Sequence, residues 1–374
     1  MIYDGLSSHG KDRFRYLPTP SEIKKREPNP CGWGTGMEDS MINAGAVMAM
    51  LCEMFECTMN DDLKEYAGMI FKGMVSCAEV HGVKGFIARS ICINDGKSVY
   101  PESSRDQYTH YVHGMWKFYN SPLSNDAQRG KMIEIIDNLC LYAEKYVTKE
   151  NDYCFYNIDG KRGVVSKMWA VEPHEAARLP MIYAAGWQIT GKQHWHDMYR
   201  KYALKAAQES LALKDMSYLA YALLQMQVSL ELLYEVEQKD STLCDIYLSA
   251  MKKAAYYVDH RCWQAQILDE DSGVNSDFSI LKGDWRKSKR RTVASYSIPV
   301  WKNEFLKTFM MVRESGEGPM VQLICPGFEF TSLQLAFLKK AICRVDYSKH
   351  GAYGFIYPMA AYWRAVKLGL IKNA

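Results

Sequence analysis

The chain has 374 residues, 48% of them hydrophobic and 24% charged, with a formal net charge of +3. This composition excludes wholesale disorder, and the charge excess is too slight to imply a nucleic-acid or membrane-surface partner. No run of about 18 consecutive apolar residues occurs, so no transmembrane helix is expected. The eleven cysteines make an odd count without a C-x-x-C pair. Cys52, Cys57, Cys140, Cys244 and Cys343 fall in apolar, helix-like runs, which points to free thiols in a reducing compartment rather than a disulfide framework. Residues 1–30 are polar and carry no apolar signal region. The chain as it stands therefore reads as cytoplasmic, or periplasmic if a leader has been removed.

Helical periodicity dominates. The pattern predicts helices over 38–57, 61–80, 104–120, 124–147, 172–190, 193–210, 215–236, 241–260, 292–313, 328–343 and 355–369. Thr35-x-x-Glu38 and Ser103-x-x-Asp106 have the form of capping boxes, Pro173 stands at a first helical turn, and Gly191 at a C-cap. Connections before the helices at 61, 124, 193 and 241 are short, whereas 81–103, 148–171, 261–291 and 344–354 are long. Short connections join antiparallel neighbours, so the chain reads as helical hairpins with its long excursions at one end. Residues 215–236 are apolar nearly all round and 41–52 combine small residues with Met, as inner helices do; 241–260 keep a polar side. Six inner helices ringed by five outer ones describe an all-α (α/α)6 toroid, one domain over 29–374 with residues 1–28 as an arm packed on it. The long loops then gather over the N-terminal ends of the inner helices, where a ligand site is expected.

Those loops hold the residues able to do chemistry. Asp106 and His110 are four apart and share a helix face. A first-turn carboxylate beside an imidazole suits general acid/base work; the alternative is that Asp106 closes a capping box with Ser103 while His110 packs. In Asn29–Asp39, Gly32, Gly34 and Gly36 alternate, which matches neither a dinucleotide nor a phosphate-loop pattern. Beside Trp33 they let backbone approach a ligand lying on the indole. Glu38 has capping as its alternative; Asp39 opens a largely apolar helix. His174-Glu175-x-x-Arg178 lacks the second histidine of a zinc site, so no metal or other cofactor is expected. Glu172, His174 and Arg178 suit a polyhydroxylated or anionic ligand, or ordinary capping and ion pairing. Between Lys282 and Arg291 six basic residues are offset by Asp269, Glu270, Asp271 and Asp277; Trp285 and Arg286 either close over a ligand or belong to a solvated loop.

Gly85-Phe-Ile-Ala-Arg89, the run Asp95–His110, Gly36-Met-Glu-Asp39 and Arg178-Leu-Pro180 together resemble glycoside hydrolases of the six-hairpin superfamily, of the Bacteroides type. In character the chain is nearest to the unsaturated glucuronyl and rhamnogalacturonyl hydrolases, although their W-x-R-G-x-x-W signature does not occur. The resemblance implies an oligosaccharide substrate, Asp106 as the principal acid/base, and Asp39 or Glu38 as the assisting carboxylate. It further implies Arg89, Arg105 and His110 fixing sugar hydroxyl or carboxylate groups, and Trp33, Tyr108 and Trp285 as stacking surfaces. An inverting enzyme would hold its two carboxyls about 6.5–9.5 Å apart. A sugar epimerase or polysaccharide lyase on the same toroid, or a non-catalytic carbohydrate-binding protein, stands as the alternative. The sugar, the linkage and the oligomeric state are left open.

Overall fold

A computed structural model of the chain describes residues 2–3, 14, 16–215, 217–237, 241–271, 284–293, 295–300, 303–344 and 352–372. It is predominantly helical. In chain order the helices are α1 (Pro20–Lys24), α2 (Ser40–Thr58), α3 (Leu63–Glu79), α4 (Arg105–Tyr119), α5 (Asp126–Tyr146), α6 (Arg178–Thr190) and α7 (Gln193–Leu211). They continue as α8 (Ala220–Val236), α9 (Ser241–Tyr257), α10 (Asp259–Asp271), α11 (Asn303–Ile324), α12 (Ser332–Arg344) and α13 (Ala352–Lys367). Two antiparallel hairpins interrupt them, β1 (Cys154–Tyr156) with β2 (Arg162–Lys167) and β3 (Arg290–Val293) with β4 (Tyr296–Pro299).

Local chemistry sets the helix ends. Ser104 caps α4 by accepting from the Gln107 N–H, and Asn125 with Gln128 forms a full capping box on α5. Gly191 closes α6 with φ +70°, a left-handed conformation that costs glycine nothing. The expected box at Thr35 and Glu38 does not form, because α2 starts at Ser40 and Thr35 Oγ1 instead donates to Gly32 O at 2.6 Å. Pro173 opens a 3-10 turn, Pro173–Glu175, and α6 begins only at Arg178.

One expected helix is misplaced. Of the helix expected over 292–313 the structure has only the part from Asn303; the β3–β4 hairpin takes the place of its start, and α11 runs on to Ile324 through Gly316, Gly318 and Pro319. These residues look like a helix stop, but they serve close packing: a Cβ on Gly316 would stand 2.5 Å from Pro358 Cδ of α13.

The helices α2, α4, α6, α8, α11 and α13 each pack on the next, and α13 packs back on α2. All six run in the same sense. Asp39 and Gly45, at the start of α2, meet Gln107 and Gly114 of α4; Gln227 of α8 donates to Val321 O of α11; and Arg364 of α13 donates to Leu323 O. Their N-termini therefore gather at one end of the molecule. At the opposite end, buried Glu231 of α8 accepts from Lys117, His113 and Arg364, and Arg364 also pairs with Glu53 of α2. The helices α3, α5, α7 and α9 return between them with one apolar face inward, and one hydrophobic cluster extends from Met41 to Trp363, while Leu338 of α12 joins Leu323, Ala361 and Ala365 in another. By length and mean hydropathy (1.2) α2 meets the requirement for a membrane span, yet 67% of it is buried inside the protein.

The N-terminal segment packs on this body. Tyr3 donates to Ile91 O at 2.7 Å, and Tyr3, Leu17 and Ile23 join Met37, Cys92 and Tyr100 in a separate apolar cluster. Among the described residues no disulfide forms; ten cysteines carry thiols, and the side chain of Cys343 lies outside the described residues.

Candidate functional site

The shared N-terminal end holds a dense group of charged side chains. Asp39 precedes the first residue of α2 without capping it, and its Oδ1 accepts from Gln107 Nε2 at 2.9 Å. Arg89 lies alongside, Nη1 to Asp39 Oδ1 at 3.5 Å. The same guanidinium donates to Glu38 O (2.8 Å) and Ser103 O (3.1 Å), so it ties together the chain just before α2 and just before α4. Only 3% of Arg89 is exposed; it braces the site from below rather than reaching into it.

Asp106, the second residue of α4, accepts from Arg178 Nη1 at 2.6 Å. Burial works against its charge, but the guanidinium groups of Arg178, Arg105 and Arg89 outweigh burial and hold the carboxyl below the usual range. Asp106 is therefore an anion at neutral pH, suited to accepting a proton. Arg178 reaches on to Gln225 of α8, and Arg105 pairs with Glu175. Burial raises Glu175, opposed by Arg178 and Arg105. His174 stands 3.7 Å from Glu175 with its ring 5.2 Å from that of Tyr218; burial, Arg178 and Arg105 push it down to about 4. His110 lies one turn below Asp106, 3% exposed, and burial with His113 pushes it down to about 3. Both imidazoles are neutral at pH 7. His110 lines a cavity of about 30 Å³ with His113, Met50, Val228 and Glu231, beneath the carboxylates and between the inner helices.

Not every expected residue joins this group. Glu38 turns into its own loop, its two oxygens accepting from the N–H groups of Gly34 (3.0 Å) and Gly36 (2.6 Å). The glycine alternation thus has a backbone explanation. Gly32, Gly34 and Gly36 all have positive φ, and a Cβ on Gly32 would lie 2.6 Å from the Tyr100 ring. Asn29 locks the same loop through Trp33 N and O and Ser297 O. Trp33 itself stays partly exposed, edge-on to Tyr296 at 6.0 Å with Arg89 5.7 Å from its ring centre. Tyr108 is fully buried and stacks on Phe155 at 4.3 Å, so it belongs to the core and offers no surface to a ligand. Trp285 is likewise buried: its Nε1 donates to Tyr16 O, and Arg286 and Arg290 cover its ring. It fastens the N-terminal segment. Glu172 is exposed at the edge of the site, where its charge bears on Tyr218.

Several contributors were not expected from the sequence. Gln107 and Gln225 are neutral residues inside apolar helices, and only their partners reveal them. Glu317 sits on α11 in the stretch that resembles a helix stop. It is 1% exposed, pairs with Arg313 at 2.7 Å through Oε1, and leaves Oε2 without a hydrogen-bond partner. Burial dominates and pushes it up to about 7; Arg313 opposes this, while Glu314 and Asp39 add to it. Tyr221, under the Arg313 guanidinium at 4.8 Å, feels the charges of Asp106, Glu317 and Arg178. The site thus combines a carboxylate held ionised with a carboxyl held near half-protonation at neutral pH, the divergence that acid/base pairs display. The chain matches no protein-family model, and no curated protein matches it.

Proposed function

We propose that the chain is an (α/α)6 toroid of the six-hairpin glycosidase kind and a glycoside hydrolase acting on an oligosaccharide. One observation carries the reading: Asp39 accepts from Gln107, the residue that follows Asp106, so carboxylates from distant stretches of sequence belong to the same end of α2 and α4. The cyclic packing of α2, α4, α6, α8, α11 and α13 supports the toroid. Asp106 takes a proton from water as the water oxygen attacks the anomeric carbon. The glycosidic C–O bond breaks, and its oxygen leaves with a proton relayed through water from Glu317, which is 1% exposed and does not touch the sugar. Asp39, beside Gln107, orients the attacking water, while Arg105 and Arg178 keep Asp106 charged.

Screening pectic and glycosaminoglycan oligosaccharides for new reducing ends tests this reading. Disappearance of C4=C5 absorbance during the same screen would separate hydration of an unsaturated uronyl unit from ordinary hydrolysis. A confirmed substrate that Asp106→Asn still cleaves at the full rate would overturn the assignment. A sugar epimerase is the second reading, favoured by two neutral imidazoles, His110 and His174, near Asp106; it predicts a changed sugar with no rise in reducing ends.

A further inference from the structure

An open cleft of about 640 Å³ lies where α9 ends and α10 begins, lined by Tyr256, Tyr257, His260, Trp263 and Gln264 and by the carboxylates Asp215 and Asp259. The α9 helix returns antiparallel to α8, so its C-terminal end faces the same way as the α8 N-terminus and the carboxylate group. Contacts join the two places. Arg261 donates to Tyr218 O (2.8 Å) and Ser217 Oγ (2.9 Å) and lies 3.8 Å from Glu314. Tyr218 in turn faces His174.

The lining has the chemistry of a site for uncharged rings. Tyr256 is 73% exposed, and its ring meets that of Tyr257 edge-on at 6.2 Å, which leaves a broad phenol face to solvent. Asp259 is occupied: it accepts from Trp263 Nε1 (3.0 Å), Gln322 (3.0 Å) and Gln334 (2.8 Å). These neutral donors hold its oxygens in place. His260 Nδ1 donates to Tyr257 O at 2.7 Å, which directs Nε2 outward. Aromatic faces with hydrogen-bonding groups between them suit the apolar face and hydroxyl edge of a sugar ring, and the carboxylates of Asp215 and Asp259 disfavour an anionic one.

We propose that this cleft binds neutral sugar units of a longer chain whose reacting unit lies at Asp106, an inference that rests on the glycoside hydrolase reading above. The test is affinity electrophoresis and calorimetry with neutral tetrasaccharides of glucan, xylan, galactan and mannan type, run on the full chain. At least one should bind wild type and Asp106→Asn alike. Tyr256→Ala should weaken that binding roughly tenfold, with Tyr256→Phe retaining it. Because Tyr256 projects into solvent, circular dichroism of the variant should match wild type. Binding of none of the four, or equal binding by Tyr256→Ala, overturns the proposal, as does preference for a cationic ligand such as a glucosamine oligomer. Tyr256-dependent binding without any hydrolysis would instead keep the cleft and sink the catalytic reading.

Discussion

Arg178 Nη1 stands 2.6 Å from Asp106 Oδ1, an ion pair that joins the first residue of α6 to the first turn of α4. Arg178 is only 2% exposed, so its charge is not easily rehydrated, whereas the Asp106 side chain keeps 24% of its surface in solvent. Arg178→Ala removes the largest of the charges that depress Asp106. The acid limb of kcat/KM on a confirmed substrate is expected to move to higher pH, since Asp106 would then protonate earlier on descending pH. Stability should fall by about 3–5 kcal/mol, as for other broken buried pairs. A pH–rate profile and a urea titration check the two effects separately.

Glu317 gives a stability signature of the opposite sense. Its folded pKa is raised to about 7, so from the ordinary carboxyl range up to about 7 the native state holds a proton that the unfolded chain releases. Stability therefore declines as pH rises through that window, by roughly 3 kcal/mol in all. Thermal melts from pH 5 to 9 should show the decline in wild type. Glu317→Gln should give a flatter curve, and an equal slope in both proteins would rule out Glu317 as its source.

At the other end of the inner helices Glu231 is held well below the usual carboxyl range, by Arg364, Lys117 and His113 against the opposing effect of burial. A depressed carboxyl contributes stability above its unfolded pKa and loses it as pH falls through the folded one. Glu231→Gln should cost about 3–5 kcal/mol at pH 7, because Lys117 and Arg364 keep their charges with less to pair. The deficit should shrink on acidification below about pH 4, measurable by urea unfolding at several pH values.

The crossing of α2 and α4 predicts a contrast between two glycines. A Cβ on Gly45 would collide with the His110 carbonyl, whereas one on Gly130 of α5 meets nothing within 4 Å. Gly45→Ala should destabilise by about 3 kcal/mol or more through forced separation of the helices. Gly130→Ala should stabilise by about 0.5–1 kcal/mol through helix propensity. Chemical denaturation of the pair reads out both signs.

The sequence carried much of the helical architecture, since apolar periodicity and short connections survive in the packing of α2 to α9. It failed over 290–324. There Arg290–Val293 and Tyr296–Pro299 pair as a hairpin that a helical reading overlooked, and Gly316, Gly318 and Pro319 mimic an ending. The misplaced boundary hid Glu317, whose environment is made by burial and by Arg313. For the site, the gathering of long loops placed Asp106 and Arg178 at one end of the helices but could not show that they pair. Trp285 and Tyr108 misled because aromatic residues read the same in a cleft as in a core. Glu38 misled because its partners are glycine N–H groups, invisible to any pattern of side chains.

Arg89 acts as a calliper, holding the carbonyls that immediately precede two inner helices with one rigid, planar group. Those helix origins keep their spacing whatever happens in the intervening loop, provided this side chain stays in place. Residues 93–97 can therefore change composition without disturbing either contact, so the surroundings of Asp39 and Asp106 can vary while the brace between their helices stays.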